Sequence, residues 1–169
     1  MTPDSVQPQR LLFVCLGNIC RSPAAEGVFL HLLAQEELTQ AFVVDSAGTG
    51  GWHLGKPADT RMQQAANRRG IHLPSRARQL ERSDLRNFDL ILTMDRENLA
   101  DVCSLAPERA PAGSASLALA RIEPLSQYCR RFQASEVPDP YYGGDAGFEH
   151  VLDLLEDACA GLLASLRPL

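Results

Sequence analysis

An open α/β fold, a mostly parallel sheet with helices packed on it, is what this sequence predicts. Two observations lead there. Short apolar runs of strand length alternate along the chain with amphipathic stretches at helical spacing. At 169 residues and 45% hydrophobic content the chain has enough apolar surface for a core without disulfides or metals. No internal repeat and no second domain interrupt the alternation, so residues 10–169 are expected as a single domain.

The elements follow in order. Residues 1–9 are polar and proline-bearing, a loose tail. Arg10 to Leu16 is an apolar run buried on both faces, the first strand. A helix is predicted from about Ser22 to Glu37, with Pro23 at its first position. Ala25, Val28, Phe29, Leu32 and Leu33 fall on one face of it. "AFVVDSAG" (41–48) reads as a second strand, and "ADTRMQQAANRRG" (58–70) as a helix ended by Gly70. "FDLILTM" (88–94) is a third strand and "DRENLADVCSLA" (95–106) a helix. Residues 107–116 have loop composition, 117–125 hold a fourth strand, and 146–166 form a final amphipathic helix.

Charge and composition exclude several functions. Net charge is -5 and the pI near 5.3, which argues against a broad nucleic-acid footprint. The start "MTPDSVQPQR" has no apolar targeting region, and no stretch is long and apolar enough for a bilayer, so no membrane role is expected. Five cysteines, Cys15, Cys20, Cys103, Cys129 and Cys159, are odd in number and irregular in spacing; a reducing cytoplasm is the simplest setting.

The chemistry concentrates in "CLGNICRS" (15–22). It lies at the carboxyl end of the first strand and the amino end of the first helix, where open sheets bind ligands and where backbone N–H groups are free. Gly17 and Asn18 are the residue types that enter left-handed backbone readily, so the Leu16–Cys20 loop can turn its N–H groups inward as an anion nest. Arg21 adds a two-pronged clamp for phosphate oxygens. Cys15, facing those dipoles and that cation, is expected to ionise more readily than an ordinary thiol and to serve as a nucleophile. Ser22 can hydrogen-bond the sulfur as it departs. A C-x5-R-S pattern arises by chance in roughly three of a hundred chains of this composition. The bland alternative is a buried strand-end cysteine beside a surface arginine.

A phosphoester also needs its leaving group protonated. "VPDPYYGG" (137–144) offers Asp139 between two prolines that fix its direction, with Tyr141 and Tyr142 to wall a pocket. Alone, the stretch is an ordinary turn; its weight comes from the first loop.

With "VCLGNICRSPAAE" (14–26), "DSAGTGGWHLGKPADTRM" (45–62), "RARQL" (76–80), "DLILTMDREN" (89–98) and "VPDPYYGG" (137–144) in this order, the chain resembles the low-molecular-weight protein tyrosine phosphatases. The resemblance covers nearly everything from residue 10. It implies a four-stranded parallel sheet flanked by helices on both faces, a Rossmann-like three-layer arrangement of the phosphotyrosine protein phosphatase I type. It implies Cys15 as nucleophile, Arg21 as phosphate clamp and Asp139 as general acid. Asn18, Ser22 and Ser46 become the network that shapes the loop, and Trp52, Tyr141 and Tyr142 the rim that selects an aromatic phosphoester. The implied reaction is two-step through a cysteinyl-phosphate, with no metal and no cofactor. The implied substrate is a tyrosine-phosphorylated protein, a bacterial tyrosine kinase among the candidates, acted on by a monomer. Relatives with this loop are redox-sensitive, which gives Cys20 a role as partner of an oxidised Cys15; the plain alternative is a wall residue.

Two departures from the pattern stand out. Ser75 occupies a place where many relatives carry a histidine, with His72 three positions early, and the 107–116 loop is long for the family. His31, His53, His72 and His150 are expected in core or surface roles, and Cys103, Cys129 and Cys159 as ordinary thiols. Asp95 is expected as a helix cap or as a group behind the phosphate site.

Three other activities compete. A thioredoxin-coupled arsenate reductase on the same fold needs a closely spaced cysteine relay; Cys103 and Cys129 are far apart. A protein-arginine phosphatase carries a small polar residue where this chain has Ile19. A nucleotide-binding module built on "SAGTGG" (46–51) lacks the required spacing and lysine.

Overall fold

The computed structural model describes residues 6–107 and 119–167. Four strands form one parallel sheet in the order β2-β1-β3-β4: β1 (Gln9–Cys15), β2 (Phe42–Gly48), β3 (Leu90–Thr93) and β4 (Arg121–Pro124). Five helices accompany them: α1 (Arg21–Gln35), α2 (Thr60–Asn67), α3 (Asp84–Asn87), α4 (Arg96–Ser104) and α5 (Asp145–Leu166).

The apolar run of β1 is continuous because the strand is central and covered twice. Leu11, Phe13 and Cys15 point into the larger core, with Val28, Phe29 and Leu33 of α1 and Val151, Leu155 and Leu162 of α5. Leu12 and Val14 point the other way, onto Leu85 of α3, Ile91 of β3 and Val102 of α4. The chain moves from β1 outward to β2, then returns past β1 to β3. The carboxyl end of β1 therefore stands at the point where the winding direction reverses, and Cys15 is its last residue, beside Gly48 in register.

Element boundaries follow local chemistry. α1 begins at Arg21, so Pro23 is its third residue rather than its first. It ends before Glu37, which takes φ +57; Leu38 N–H donates to the Leu33 carbonyl at 2.9 Å and Glu37 N–H to the Ala34 carbonyl at 3.4 Å, a Schellman closure. Gly70, at φ +73, closes the α2 region in the same way, with Ile71 N–H on the Ala66 carbonyl, as its position predicts. α3 has no counterpart in the sequence reading, because four residues carry too little period to detect. The fourth strand is shorter than expected, and the loop beyond Pro107 lies outside the described residues.

The stretch 71–80 has no regular element, yet it fixes the top of the molecule. Gly48 N–H donates to the Arg78 carbonyl and Leu80 N–H to the Gly48 carbonyl, while Gly55 and Ala77 tie the same stretch to the 49–57 loop. Both loops are thereby held above the carboxyl ends of β1 and β2.

Candidate active site

The five residues Leu16–Cys20 connect β1 to α1. Three of their carbonyls, and that of Cys15 before them, are drawn outward by neighbouring N–H groups. The Cys15 carbonyl accepts from Thr49, that of Leu16 from Gly50, that of Ile19 from Asp59 and that of Cys20 from Ala24, at 2.7–3.2 Å. In a trans peptide the N–H points opposite its carbonyl, so the N–H groups of Leu16, Gly17, Cys20 and Arg21 face the other side, toward the hollow. Close approach at the rim of this loop requires Gly48: a Cβ there would lie 2.7 Å from the Leu16 carbonyl oxygen. The turn itself rests on Asn18 at φ +56.

Asn18 also orders the side chains beneath the loop. Its Oδ1 accepts from the Arg78 N–H at 2.9 Å, a group that can only donate. Both hydrogens of Nδ2 are therefore available, and they go to Ser22 Oγ at 2.7 Å and Ser46 Oγ at 3.0 Å. Ser22 thus accepts from Asn18 and turns its own hydrogen toward the Cys15 Sγ at 3.0 Å, closer than its other acceptor, the Ala47 carbonyl at 3.4 Å. The Asn18 N–H donates to the same sulfur at 3.3 Å. The site thus directs two donors at one sulfur.

Arg21 stands on the first turn of α1 with its side chain 3% exposed. It donates to Asp95 Oδ2 at 2.6 Å and to the Val137 carbonyl at 3.1 Å, and lies 3.6 Å from Asp139 Oδ2. Burial opposes its charge, but Cys15, Asp95 and Asp139 outweigh that and hold the guanidinium more firmly protonated than usual. Asp95 fills both of its expected roles. One oxygen caps α4 by accepting from Asn98 N–H at 2.8 Å, within a capping box, and the other orients Arg21.

The loop after β4 brings Asp139 over the same hollow. Asp139 Oδ1 accepts from Tyr141 N–H at 3.0 Å, and its side chain is 42% exposed. Cys15, Leu16, Gly17, Ile19, Cys20, Arg21, Trp52, His53, Asp139, Tyr141 and Tyr142 line one cleft of about 420 Å³. Tyr141 and Tyr142 meet edge to face with centroids 4.9 Å apart, and Arg61 lies 5.4 Å over the Tyr141 ring. Trp52 folds across Gly50, where a Cβ would collide with its ring. Every sequence-predicted site residue lines this cleft or, for Asn18, Ser22 and Ser46, supports its floor from below.

Burial first, then the charges of Asp59, Cys15 and Asp139, push the Cys20 thiol up to about 12, so Cys20 is a neutral thiol at physiological pH. Cys103, on α4, and Cys129, against the Leu154 carbonyl, line no part of the cleft.

Two residues escaped the sequence reading. His53 was expected in a core or surface role, yet its ring lines the cleft above Gly17; only its place directly after Trp52 hints at this. Glu26, the last residue of the "VCLGNICRSPAAE" stretch, was given no role, yet it is buried on α1 behind Ser46.

A family model described as low molecular weight phosphotyrosine protein phosphatase matches residues 10–168. The chain belongs to this family. The low molecular weight protein-tyrosine-phosphatase YfkJ of Bacillus subtilis is 41% identical over 158 residues, 93% of this chain and 95% of that protein. Among solved structures, a protein tyrosine phosphatase from Entamoeba histolytica with Hepes in its active site superposes with a TM-score of 0.85 at 42% identity, covering 94% and 96% of the two chains. A Drosophila arginine phosphatase superposes with a TM-score of 0.83 at 31% identity, covering 94% and 98%. The fold expected from the sequence, four parallel strands between helices, is the one these relatives share.

Proposed function

We propose that this chain hydrolyses phosphotyrosine in proteins, with Cys15 as nucleophile, Arg21 as phosphate clamp and Asp139 as general acid. The observation that carries the assignment is the convergence of these three residues, from β1, α1 and the loop after β4, on one cleft walled by tyrosines.

The cleft suits a two-step displacement. The inward N–H groups of the loop and the Arg21 fork bind the three non-bridging oxygens. The Cys15 sulfur attacks phosphorus; the S–P bond forms as the bond to the phenolic oxygen breaks, and Asp139 gives that oxygen its proton. Asp139, now a carboxylate, takes a proton from water as that water attacks the cysteinyl-phosphate. The S–P bond breaks, inorganic phosphate leaves, and the Ser22 hydroxyl receives the returning thiolate. The walls of Ile19, Trp52, Tyr141 and Tyr142 accept the phenyl ring and give depth that a shorter phosphoserine does not reach.

Ile19 also supports tyrosine over arginine: an apolar wall suits a ring better than a phosphorylated guanidinium. Cys103 and Cys129, away from the cleft, offer no relay for an arsenate reductase. Cys20, a neutral thiol lining the same cleft, is our candidate to trap an oxidised Cys15 as a disulfide. We infer a monomer that acts in the cytoplasm on tyrosine-phosphorylated proteins, a tyrosine kinase among them; the five free thiols fit the reducing compartment.

The decisive experiment is Cys15→Ser. Turnover of p-nitrophenyl phosphate and of a phosphotyrosine peptide should fall to background while vanadate or phosphate still binds. Retained turnover would remove Cys15 from its role, and release of phosphate from phosphoarginine faster than from phosphotyrosine would replace the substrate.

A further inference from the structure

Glu26 is a buried carboxyl that the two displacement steps do not use. It lies on α1 with its Oε2 3.5 Å from the Ser46 hydroxyl. Ser75 also faces it, at the position where a histidine was the expected residue. The charged groups around it are Asp45 on β2 and Arg78 from the 71–80 stretch. The Arg78 guanidinium is already committed to Asp45 and Asp84, at 3.0 Å each, and the His72 side chain is exposed. Among the described residues, no cation closes on the Glu26 carboxyl itself.

The direction of the neighbouring hydrogen bonds gives the carboxyl a task. Ser46 Oγ accepts from Asn18 Nδ2 at 3.0 Å, so its own hydrogen needs an acceptor. Among the described residues the Glu26 carboxyl is the one acceptor within reach of that hydroxyl. From Ser46 the line continues through Asn18 to Ser22 and ends at the Cys15 sulfur.

We propose that Glu26 is a positioning residue for the phosphate loop: its carboxylate anchors Ser46, Ser46 steadies Asn18, and Asn18 sets the hydroxyl that faces the nucleophile. The inference rests on Cys15 being that nucleophile. The anchoring species is the carboxylate. A protonated carboxyl is a weaker acceptor, and its own O–H competes for the lone pairs of Ser46.

Protonation falls in a working range. Burial, then the charge of Asp45, push the carboxyl up to about 7, against the opposing pull of Ser75, Ser46 and Arg78. Because the folded value lies above the ordinary 4.5, the fold prefers the proton. The resulting stability is fully present below about pH 4.5 and is lost as the pH rises through about 7. The form that anchors the loop is thus the less stable one, a local trade of stability for order at the site.

The test compares kcat against pH, from 5.5 to 8.5, for the unaltered enzyme and Glu26→Gln on p-nitrophenyl phosphate. Glutamine keeps an uncharged acceptor of nearly the same shape. The unaltered enzyme should show an inflection near pH 7 that Glu26→Gln lacks; titration of the substrate is common to both and cancels. Urea unfolding should show Glu26→Gln gaining on the unaltered enzyme as pH rises from 5 to 8. Glu26→Ala and Ser46→Ala should each lower kcat about tenfold with little change in KM, and the double variant should fall no further than the worse single. Superimposable profiles for the unaltered enzyme and Glu26→Gln, or multiplicative losses in the Ala pair, would overturn the proposal. If those results appear while Cys15→Ser is inactive, Glu26 alone is misassigned; an active Cys15→Ser variant would instead dismiss the nucleophile.

Discussion

The floor and the roof of the cleft are built on opposite terms. In the floor, Asn18, Arg21, Ser22 and Ser46 are almost fully buried, and each polar side chain has a partner from another part of the chain. In the roof, Asp139 is 42% exposed, Trp52 69% and Tyr142 96%, and among the described residues Asp139 has one backbone donor and a 3.6 Å approach to Arg21. The floor must hold donors in place for an anion before it arrives, because reorganisation during the reaction would forfeit the electrostatic gain. The roof must admit and release a bulky protein side chain. A lesion in the floor should therefore damage stability and kcat together, and one in the roof should act on the substrate alone.

The acid is the roof residue that breaks this division most sharply, since it also touches the reaction. Asp139→Asn keeps the shape and the acceptor for Tyr141 N–H but has no proton to give. Turnover of phosphotyrosine, a poor leaving group, should drop by roughly 10²- to 10⁴-fold. Aryl phosphates with strongly acidic phenols should lose far less, and thermal stability should hold. A plot of rate against leaving-group pKa for both enzymes checks it; parallel lines would show that Asp139 is no acid.

Next in size comes the floor. Asn18→Ala removes three side-chain partners at once and leaves alanine at φ +56. Ser22 loses the donor that fixes which way its hydroxyl points. A loss of about 3 kcal/mol in folding stability is expected from the unpaired buried groups and the strained backbone. A fall of roughly tenfold to a hundredfold in kcat should accompany it, because the sulfur no longer has a set partner. Urea unfolding and steady-state kinetics on one preparation check both halves. A stability loss with unchanged kcat would mean that the loop shape survives without Asn18.

The same division explains what could be read from the sequence. The fold was legible because β1 is apolar on both faces, because Val28, Phe29 and Leu33 recur at helical spacing on α1, and because α5 keeps an apolar side against the core. Cys15, Asn18, Arg21 and Ser22 were legible because the floor is contiguous, and its spacing carries its chemistry. Asp139 became legible only beside that motif; nothing in a proline-flanked turn announces an acid. His53 and Glu26 were hidden because their meaning is a long-range contact. The first depends on a loop tied down by residues 76–80, and the second on which side of α1 meets Ser46. Irregular backbone of that kind has no period to detect, so the 71–80 stretch, which carries no catalytic group, was also the least readable part of the site's support.

The smallest effect belongs to the outermost wall. Trp52 lies across Gly50 and presents most of its surface to solvent at the mouth of the cleft. Among the described residues its side chain takes part in none of the loop hydrogen bonds, so Trp52→Ala should leave kcat and unfolding unchanged within error. What it removes is one aromatic face for the phenyl ring, an interaction of about 0.5–1.5 kcal/mol. KM for a phosphotyrosine peptide should then rise about twofold to tenfold, while KM for an alkyl phosphate, which has no ring to place there, should not move. If both substrates weaken alike, Trp52 shapes the loop beneath it rather than the substrate above it, and the boundary between floor and roof has to be drawn on the outer side of residue 52.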